Sequence, residues 1–295
     1  MKISKWISAF RLRTLFLSLS CIWAGLLCAE ISFQNNYTIA LFTFLTALFL
    51  QILSNLANDY GDSIHGADHA GRKGPQRAVQ SGAISKETMK RALVLFSVFA
   101  FLSGCVLLFA SIDVIGTNGA IGLLIVGLLA IAAAIFYTNG KKPYGYAGLG
   151  DISVFIFFGW VAVLGSQYLQ TKSISEEAIL LSICYGLLSV GVLNLNNMRD
   201  IESDKVAGKK SIPVRIGLKN AKLYHSALLI IAAACLYNFQ MKAEIALPYR
   251  LACMAIIIWN LLKAQKAKDH ASFDPLLKWL SLSTLVITFL CQISL

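Results

Sequence analysis

The stretch Asn196-Asn197-Met198-Arg199-Asp200-Ile201-Glu202-Ser203-Asp204 stands where a long apolar run, 178–197, gives way to charge. It continues into Gly208-Lys209-Lys210-Ser211-Ile212-Pro213-Val214-Arg215-Ile216-Gly217. A run of about 20 apolar residues is the length that crosses a bilayer as a helix, so this stretch marks the end of a membrane span. Asn196, Asp200 and Asp204 are spaced i, i+4 and i+8 and form one oxygen-bearing stripe if the helix continues. Like charges four residues apart cost an isolated helix about 0.2–0.5 kcal/mol, so a cation, most simply a divalent metal ion, is expected between them.

The rest of the chain repeats this pattern of apolar run and charged end. Of 295 residues 57% are apolar and only 14% charged, and the mean hydropathy is +0.67. Soluble domains carry about 25% charged residues, so the expected fold is all-α, a polytopic membrane bundle. No linker composition divides the chain, and a single membrane domain over 1–295 is expected. Nine spans can be drawn, at about 14–33, 38–57, 92–112, 119–138, 151–170, 178–197, 223–241, 246–262 and 276–295. The first reads as an uncleaved span rather than a signal peptide, because many spans follow it.

With nine spans, all of the 26 Lys and Arg except Lys172, Lys242 and Arg250 fall on one face of the membrane. Basic loops stay in the cytoplasm, which puts the N-terminus inside and the C-terminus outside. The same bias accounts for the net charge of +11 without any nucleic-acid partner. The seven cysteines lie inside apolar runs without CxxC spacing, so neither a disulfide framework nor a zinc site is suggested and they read as buried small side chains. His65, His69, His225 and His270 have no partners at metal-ligand spacing and read as polar surface or loop residues.

The end of span two reads Asn55-Leu56-Ala57-Asn58-Asp59-Tyr60-Gly61-Asp62-Ser63-Ile64-His65-Gly66-Ala67-Asp68, then Gly71-Arg72-Lys73-Gly74-Pro75-Gln76-Arg77-Ala78-Val79-Gln80-Ser81-Gly82. Beside the opening stretch, Asn55 matches Asn196 and Asp59 matches Asp200, 141 residues apart, and after the loop Arg77 matches Arg215. One acidic helix end is ordinarily a solvated terminus, and basic loops ordinarily only orient a membrane protein. Two copies with the same basic sequel ask for a shared chemistry. Mg²⁺ takes oxygen ligands and is commonly held by one or two carboxylates plus substrate phosphates. Facing stripes of Asn55, Asp59, Asp62 or Asp68 and of Asn196, Asp200 and Asp204 therefore suit a metal-bridged diphosphate, with Lys73, Arg77, Arg199, Lys209 and Arg215 balancing its remaining charge.

These motifs resemble the two aspartate-rich motifs of the UbiA superfamily of intramembrane aromatic prenyltransferases, which implies a nine-helix fold around a central cavity. They are most similar to the branch that acts on 1,4-dihydroxy-2-naphthoate in menaquinone synthesis. The resemblance is carried by Arg11-Leu12-Arg13-Thr14-Leu15, Asn55–Asp62, Gly74–Gly82, Lys142-Pro143-Tyr144-Gly145-Tyr146-Ala147-Gly148-Leu149-Gly150-Asp151 and Asn196–Gly217. The last three spans carry little of it. It departs from the superfamily's Asp-x-x-x-Asp spacing, because Ser63 stands at the second acidic place; Asp62 and Asp68 compete for that role. It implies Mg²⁺-dependent transfer of a polyprenyl group from its diphosphate to dihydroxynaphthoate with decarboxylation, the tail leaving laterally into lipid.

The resemblance also implies an allylic cation shielded from water, with Tyr137, Phe155, Phe158 and Trp160 as candidate ring faces and Tyr137 foremost. Arg13 or Lys142 is expected to anchor the acceptor carboxylate. Asp151 is expected to orient the acceptor hydroxyl or accept a proton, or else to cap its helix. Superfamily enzymes using 4-hydroxybenzoate, homogentisate or haem remain alternatives. A transporter fits less well, because transport sites lie near the midplane and these charges lie at helix ends.

Overall fold

The computed structural model describes residues 3–32, 36–65 and 76–295; Asp68 and Lys73 lie outside them. Among the described residues the ordered elements are helical. They are α1 (Ile3–Phe10), α2 (Leu12–Ile31), α3 (Tyr37–Ile64), α4 (Lys86–Phe136), α5 (Gly150–Val154), a π-helical segment (Phe155–Leu164), α6 (Gly165–Thr171), α7 (Glu176–Arg199), α8 (Ile201–Val206), α9 (Ile212–Lys242), α10 (Leu247–Lys266) and α11 (Phe273–Gln292). Eight stretches among the described residues are long and apolar enough to span a membrane, α5 through α6 counting as one. Local chemistry sets several starts. Asn36, Ser85 and Ser175 cap α3, α4 and α7 through their side-chain oxygens, and Pro213 and Pro248 open α9 and α10.

The 51-residue α4 merges the third and fourth expected spans. As a straight rod it would be about 76 Å long, well over twice the hydrocarbon thickness. It breaks at Gly116, whose φ of 73° and ψ of 168° are open to glycine and strained for other residues. Its two arms fold back together: Leu93 and Val94 line one apolar groove with Ile131 and Ile135. At the first motif, α3 runs to Ile64 rather than ending near 57, so Asn55–Asp62 are all helical.

The core sits on α7, whose buried side chains meet α9, the π-helical segment and α11. Gly159 of the π-helical segment lies so close to α7 that a Cβ there would come within 2.5 Å of the Ser182 carbonyl. His225 corrects the surface reading: it is fully buried in α9, with neither ring nitrogen hydrogen-bonded. The seven thiols are free, five of them buried. A cavity of about 350 Å³ is left between α2, α3, α4, the 150–171 span and α7.

Candidate functional site

The polar end of this cavity is built where α3 and α7 finish. On α3, three side chains one turn apart do three different things. Asn55 donates from Nδ2 to the Phe10 carbonyl and to Thr14 Oγ1, both at 2.9 Å, bracing the break between α1 and α2. Asp59, 2% exposed, accepts the backbone amides of Ala78 (3.0 Å) and Val79 (3.2 Å), which ties the 76–82 turn to the helix. Asp62, equally buried, lines the cavity; it pairs with the Arg77 guanidinium and accepts the Tyr146 hydroxyl at 2.6 Å.

On the α7 side, the backbone bonds Asp200 N to Asn196 O (3.1 Å) and Asp204 N to Asp200 O (2.8 Å) carry the helical register across the end of α7. The stripe read from the sequence therefore exists, although its members differ in role. Asn196 lines the cavity. Asp200 receives Arg199 on both oxygens. Asp204 lies 3.6 Å from the Lys209 ammonium, which itself lines the cavity.

The loop 137–149 joins the two halves. The Lys210 amide donates to the Tyr146 carbonyl at 2.9 Å, and the Tyr146 ring stands 5.7 Å from the Lys209 ammonium. Gly148, with φ of 85°, lets Arg215 in close; Arg215 donates to the carbonyls of Ala147 (2.6 Å) and Lys210 (2.9 Å). Tyr146 thus touches the first motif through its hydroxyl and the second through its ring and carbonyl. Sequence reading missed it because a loop tyrosine has no periodicity to mark it; the glycines at 145 and 148 on either side were the available signal.

The electrostatics follow from this crowding. Burial alone lowers the affinity of the Lys209 ammonium for its proton, but Asp204 and Asp62 outweigh it and hold the pKa well above the usual lysine value. Burial raises the Asp204 pKa; Lys209 and Arg77 pull it down, Asp200 and Asp62 push it up, and it stays above the ordinary carboxylate range. Burial likewise raises Tyr137, with Lys209 opposing, and Tyr146, reinforced by Asp62, so both phenols stay protonated at neutral pH.

Asn55, Asp62, Arg77, Tyr137, Asn196 and Lys209 all line the one cavity. Asp59, Asp200 and Asp204 stand behind it. Asp151 accepts the Tyr224 hydroxyl at 2.9 Å; Leu149, not Asp151, holds the N-cap of α5, which removes the capping alternative. Arg13 is paired with Asp274 at 3.0 Å, and Lys142 is exposed on the loop. Arg199 is buried against Asp200 and Asp274, and Arg215 is exposed, so the match of Arg77 with Arg215 ends at the sequence. Phe157 and Phe158 line the cavity, whereas Phe155 packs toward Gly186 and Trp160 is half exposed.

Among the described residues no three His, Cys, Asp or Glu side chains form a ready metal cage. Mg²⁺ bound mainly through substrate phosphates needs only one or two carboxylates. The oxygens of Asp62 and Asn196, which line the cavity, supply these, and the Lys209 ammonium, with Asp204 behind it, lies where a cation between the motifs is called for. The donor set fits.

A cavity of this shape, apolar below and ionic at its mouth, within a bundle of long apolar helices, is that of an intramembrane enzyme handling an amphiphile with a charged head. Residues 18–289 match the UbiA prenyltransferase family, and the chain belongs to that family. It is 45% identical over 236 residues to the 1,4-dihydroxy-2-naphthoate octaprenyltransferase of Escherichia coli (strain K12), covering 80% of this chain and 76% of that protein. It is 39% identical to the Haemophilus influenzae protein of the same name, over 100% of this chain and 96% of the relative. An apo UbiA homolog from Aeropyrum pernix K1 shares the fold with a TM-score of 0.70 at 18% identity, over 96% of this chain and 97% of that one. A UbiA homolog from Archaeoglobus fulgidus bound to DMAPP and Mg²⁺ does so with a TM-score of 0.62 at 15% identity, over 99% of this chain and 100% of that one.

Proposed function

We propose that this protein transfers a polyprenyl group from polyprenyl diphosphate to 1,4-dihydroxy-2-naphthoate with loss of CO₂, giving demethylmenaquinol in the route to menaquinone. The observation that carries the reading is the meeting of Asp62, Arg77, Asn196 and Lys209 at the mouth of an apolar cavity. The names of the relatives select the acceptor. Counting the two arms of α4 separately gives nine crossings, with the N-terminus and the ionic mouth on the cytoplasmic side of a bacterial inner membrane.

Mg²⁺ bound with the diphosphate would be held by Asp62 and Asn196 and would supply charge neutralisation for the leaving group. Arg77 and Lys209 hold the same phosphates. The C1–O bond breaks with its electron pair on diphosphate, leaving an allylic cation. Tyr137 and Phe158 present ring faces to it, and the apolar wall keeps water away. The acceptor ring carbon that bears the carboxyl group forms the new C–C bond. Cleavage of its bond to CO₂ returns an electron pair to the ring, so no redox partner is consumed. Asp151, bound to the Tyr224 hydroxyl, serves the acceptor hydroxyl.

The test is incubation of membranes carrying the protein with Mg²⁺, a labelled polyprenyl diphosphate, and in turn dihydroxynaphthoate, 4-hydroxybenzoate or homogentisate. Product with dihydroxynaphthoate alone is expected. Product only with another acceptor overturns the assignment.

A further inference from the structure

We infer that the turn end of the α10–α11 hairpin is a binding surface for the headgroup of an anionic phospholipid, which braces α11. Trp259 on α10 and Trp279 on α11 stand with ring centroids 6.1 Å apart, edge to face at 83°, and both are exposed, at 42% and 48%. Trp259 lies seven residues before the end of α10 and Trp279 six residues after the start of α11. At 1.5 Å per residue both indoles therefore sit at one depth, about 10 Å from the 267–272 turn. An indole pair left open on the outside of a membrane bundle at that depth is an interfacial anchor, with one edge apolar and one able to donate to headgroups. Val286 and Phe289 follow Trp279 at i+7 and i+10, and both are exposed, so an apolar track runs from the indoles toward the bilayer centre.

The charge beside the indoles is cationic. Trp259, Lys263 and Lys266 are spaced i, i+4 and i+7 and share one face of α10, and the Lys263 ammonium stands 5.6 Å from the Trp259 ring centroid. Lys278 precedes Trp279 in α11. All three lysines are exposed, and among the described residues none is paired with an acid. The acids near them in sequence are engaged elsewhere: Asp269 accepts the Ser272 amide at 2.8 Å, and Asp274 holds Arg13 and Arg199. Other basic side chains on this side are occupied, Lys209 by Asp204, Arg215 by two carbonyls and Lys222 by the carbonyls of Gln265 and Ala267. Unpaired ammoniums above an indole pair and an apolar track match a phosphodiester headgroup with its acyl chains below. A lipid seated there braces the first turns of α11, which bring Leu277 to the cavity and Asp274 to its two guanidiniums.

Tryptophan fluorescence of the full chain in phosphatidylcholine nanodiscs tests this. A minor share of phosphatidylglycerol with brominated acyl chains is compared with the same share of brominated phosphatidylcholine. Phosphatidylglycerol is expected to be enriched about 5-fold or more beside Trp259 and Trp279, read as excess quenching that a chain with Trp259→Phe and Trp279→Phe lacks. Lys263→Gln, Lys266→Gln and Lys278→Gln together should abolish the excess. Lys86→Gln, Lys90→Gln and Lys219→Gln, which remove the same charge elsewhere, should keep it. The thermal midpoint should rise with phosphatidylglycerol in the unaltered chain and not in the first triple variant. Equal quenching by the two lipids, an excess that survives the tryptophan or the first lysine substitutions, one lost in the second triple variant, or its displacement by inorganic phosphate overturns the inference. A midpoint indifferent to phosphatidylglycerol overturns the bracing of α11.

Discussion

Arg199 binds the carboxylate of its own chain neighbour, Asp200, with Nε to Oδ1 at 2.9 Å and Nη2 to Oδ2 at 2.7 Å. The same guanidinium donates to Asn196 Oδ1 at 2.8 Å and reaches Asp274 on α11, which also holds Arg13. At 1% exposure Arg199 is an internal charge whose balance depends on these acids. Asp200 and Asp59, matched in the sequence repeat, are thus both engaged away from the cavity, one by a guanidinium and the other by two backbone amides.

Asp274→Asn removes the acid shared by two guanidiniums. Because Asp274 is one-third exposed, water softens the loss, and a destabilisation of about 1–3 kcal/mol is expected. Thermal unfolding in detergent measures it, and an unchanged midpoint would show that Arg199 is satisfied without α11.

Asp62→Asn and Asp59→Asn are both expected to lose turnover, by different routes. Asp62 faces the cavity, so its variant should lose about 10²-fold or more in kcat with the 76–82 turn intact. Asp59→Asn sets an amide against the Ala78 and Val79 N–H groups, so it should also lower the unfolding temperature and expose the turn to protease. Equal stability of the two variants contradicts this division.

Tyr146→Phe deletes the hydroxyl that donates to Asp62 and keeps the ring beside Lys209. A hydrogen bond to a charged group contributes about 1.5–3 kcal/mol, so the Mg²⁺ concentration at half-maximal rate should rise about 10-fold or more. KM for the acceptor should stay constant. Metal titration of initial rates checks both, and a change confined to the acceptor assigns Tyr146 elsewhere.

Gly61→Ala places a Cβ 2.5 Å from the Thr138 carbonyl, at the contact where Thr138 Oγ1 donates to the Ala57 carbonyl. Separation of α3 from the 137–149 loop should cost about 1–3 kcal/mol and reduce activity through Asp62, one residue on. Full activity and stability would mean that the loop yields freely.

Hydropathy and spacing made the membrane class and both acidic helix ends readable, because each is a periodic signal along one chain. The i, i+4 stripe of Asn196, Asp200 and Asp204 survives in the backbone bonds. Periodicity fixes a face of a helix and not the partner across from it, which is why Asp59 and Asp200 could not be told from Asp62 in advance. The partners come from far along the chain: Arg77 and Tyr146 for Asp62, and Asp274 for Arg199. His225, read as a surface histidine, sits in a helix buried on that side, where a polar residue interrupts the apolar pattern without changing its period.

Asp274 lies in the first turn of α11, the last helix described. During synthesis, Arg13 and Arg199 therefore enter the membrane region well before their shared counter-charge exists. Until the ribosome has passed residue 274 and α11 has docked, the Arg13 end of α2 and the Arg199 end of α7 lack the tie that Asp274 makes between them. Nascent chains arrested before that point should be held open, prone to degradation and unable to shut their half-built pocket against water.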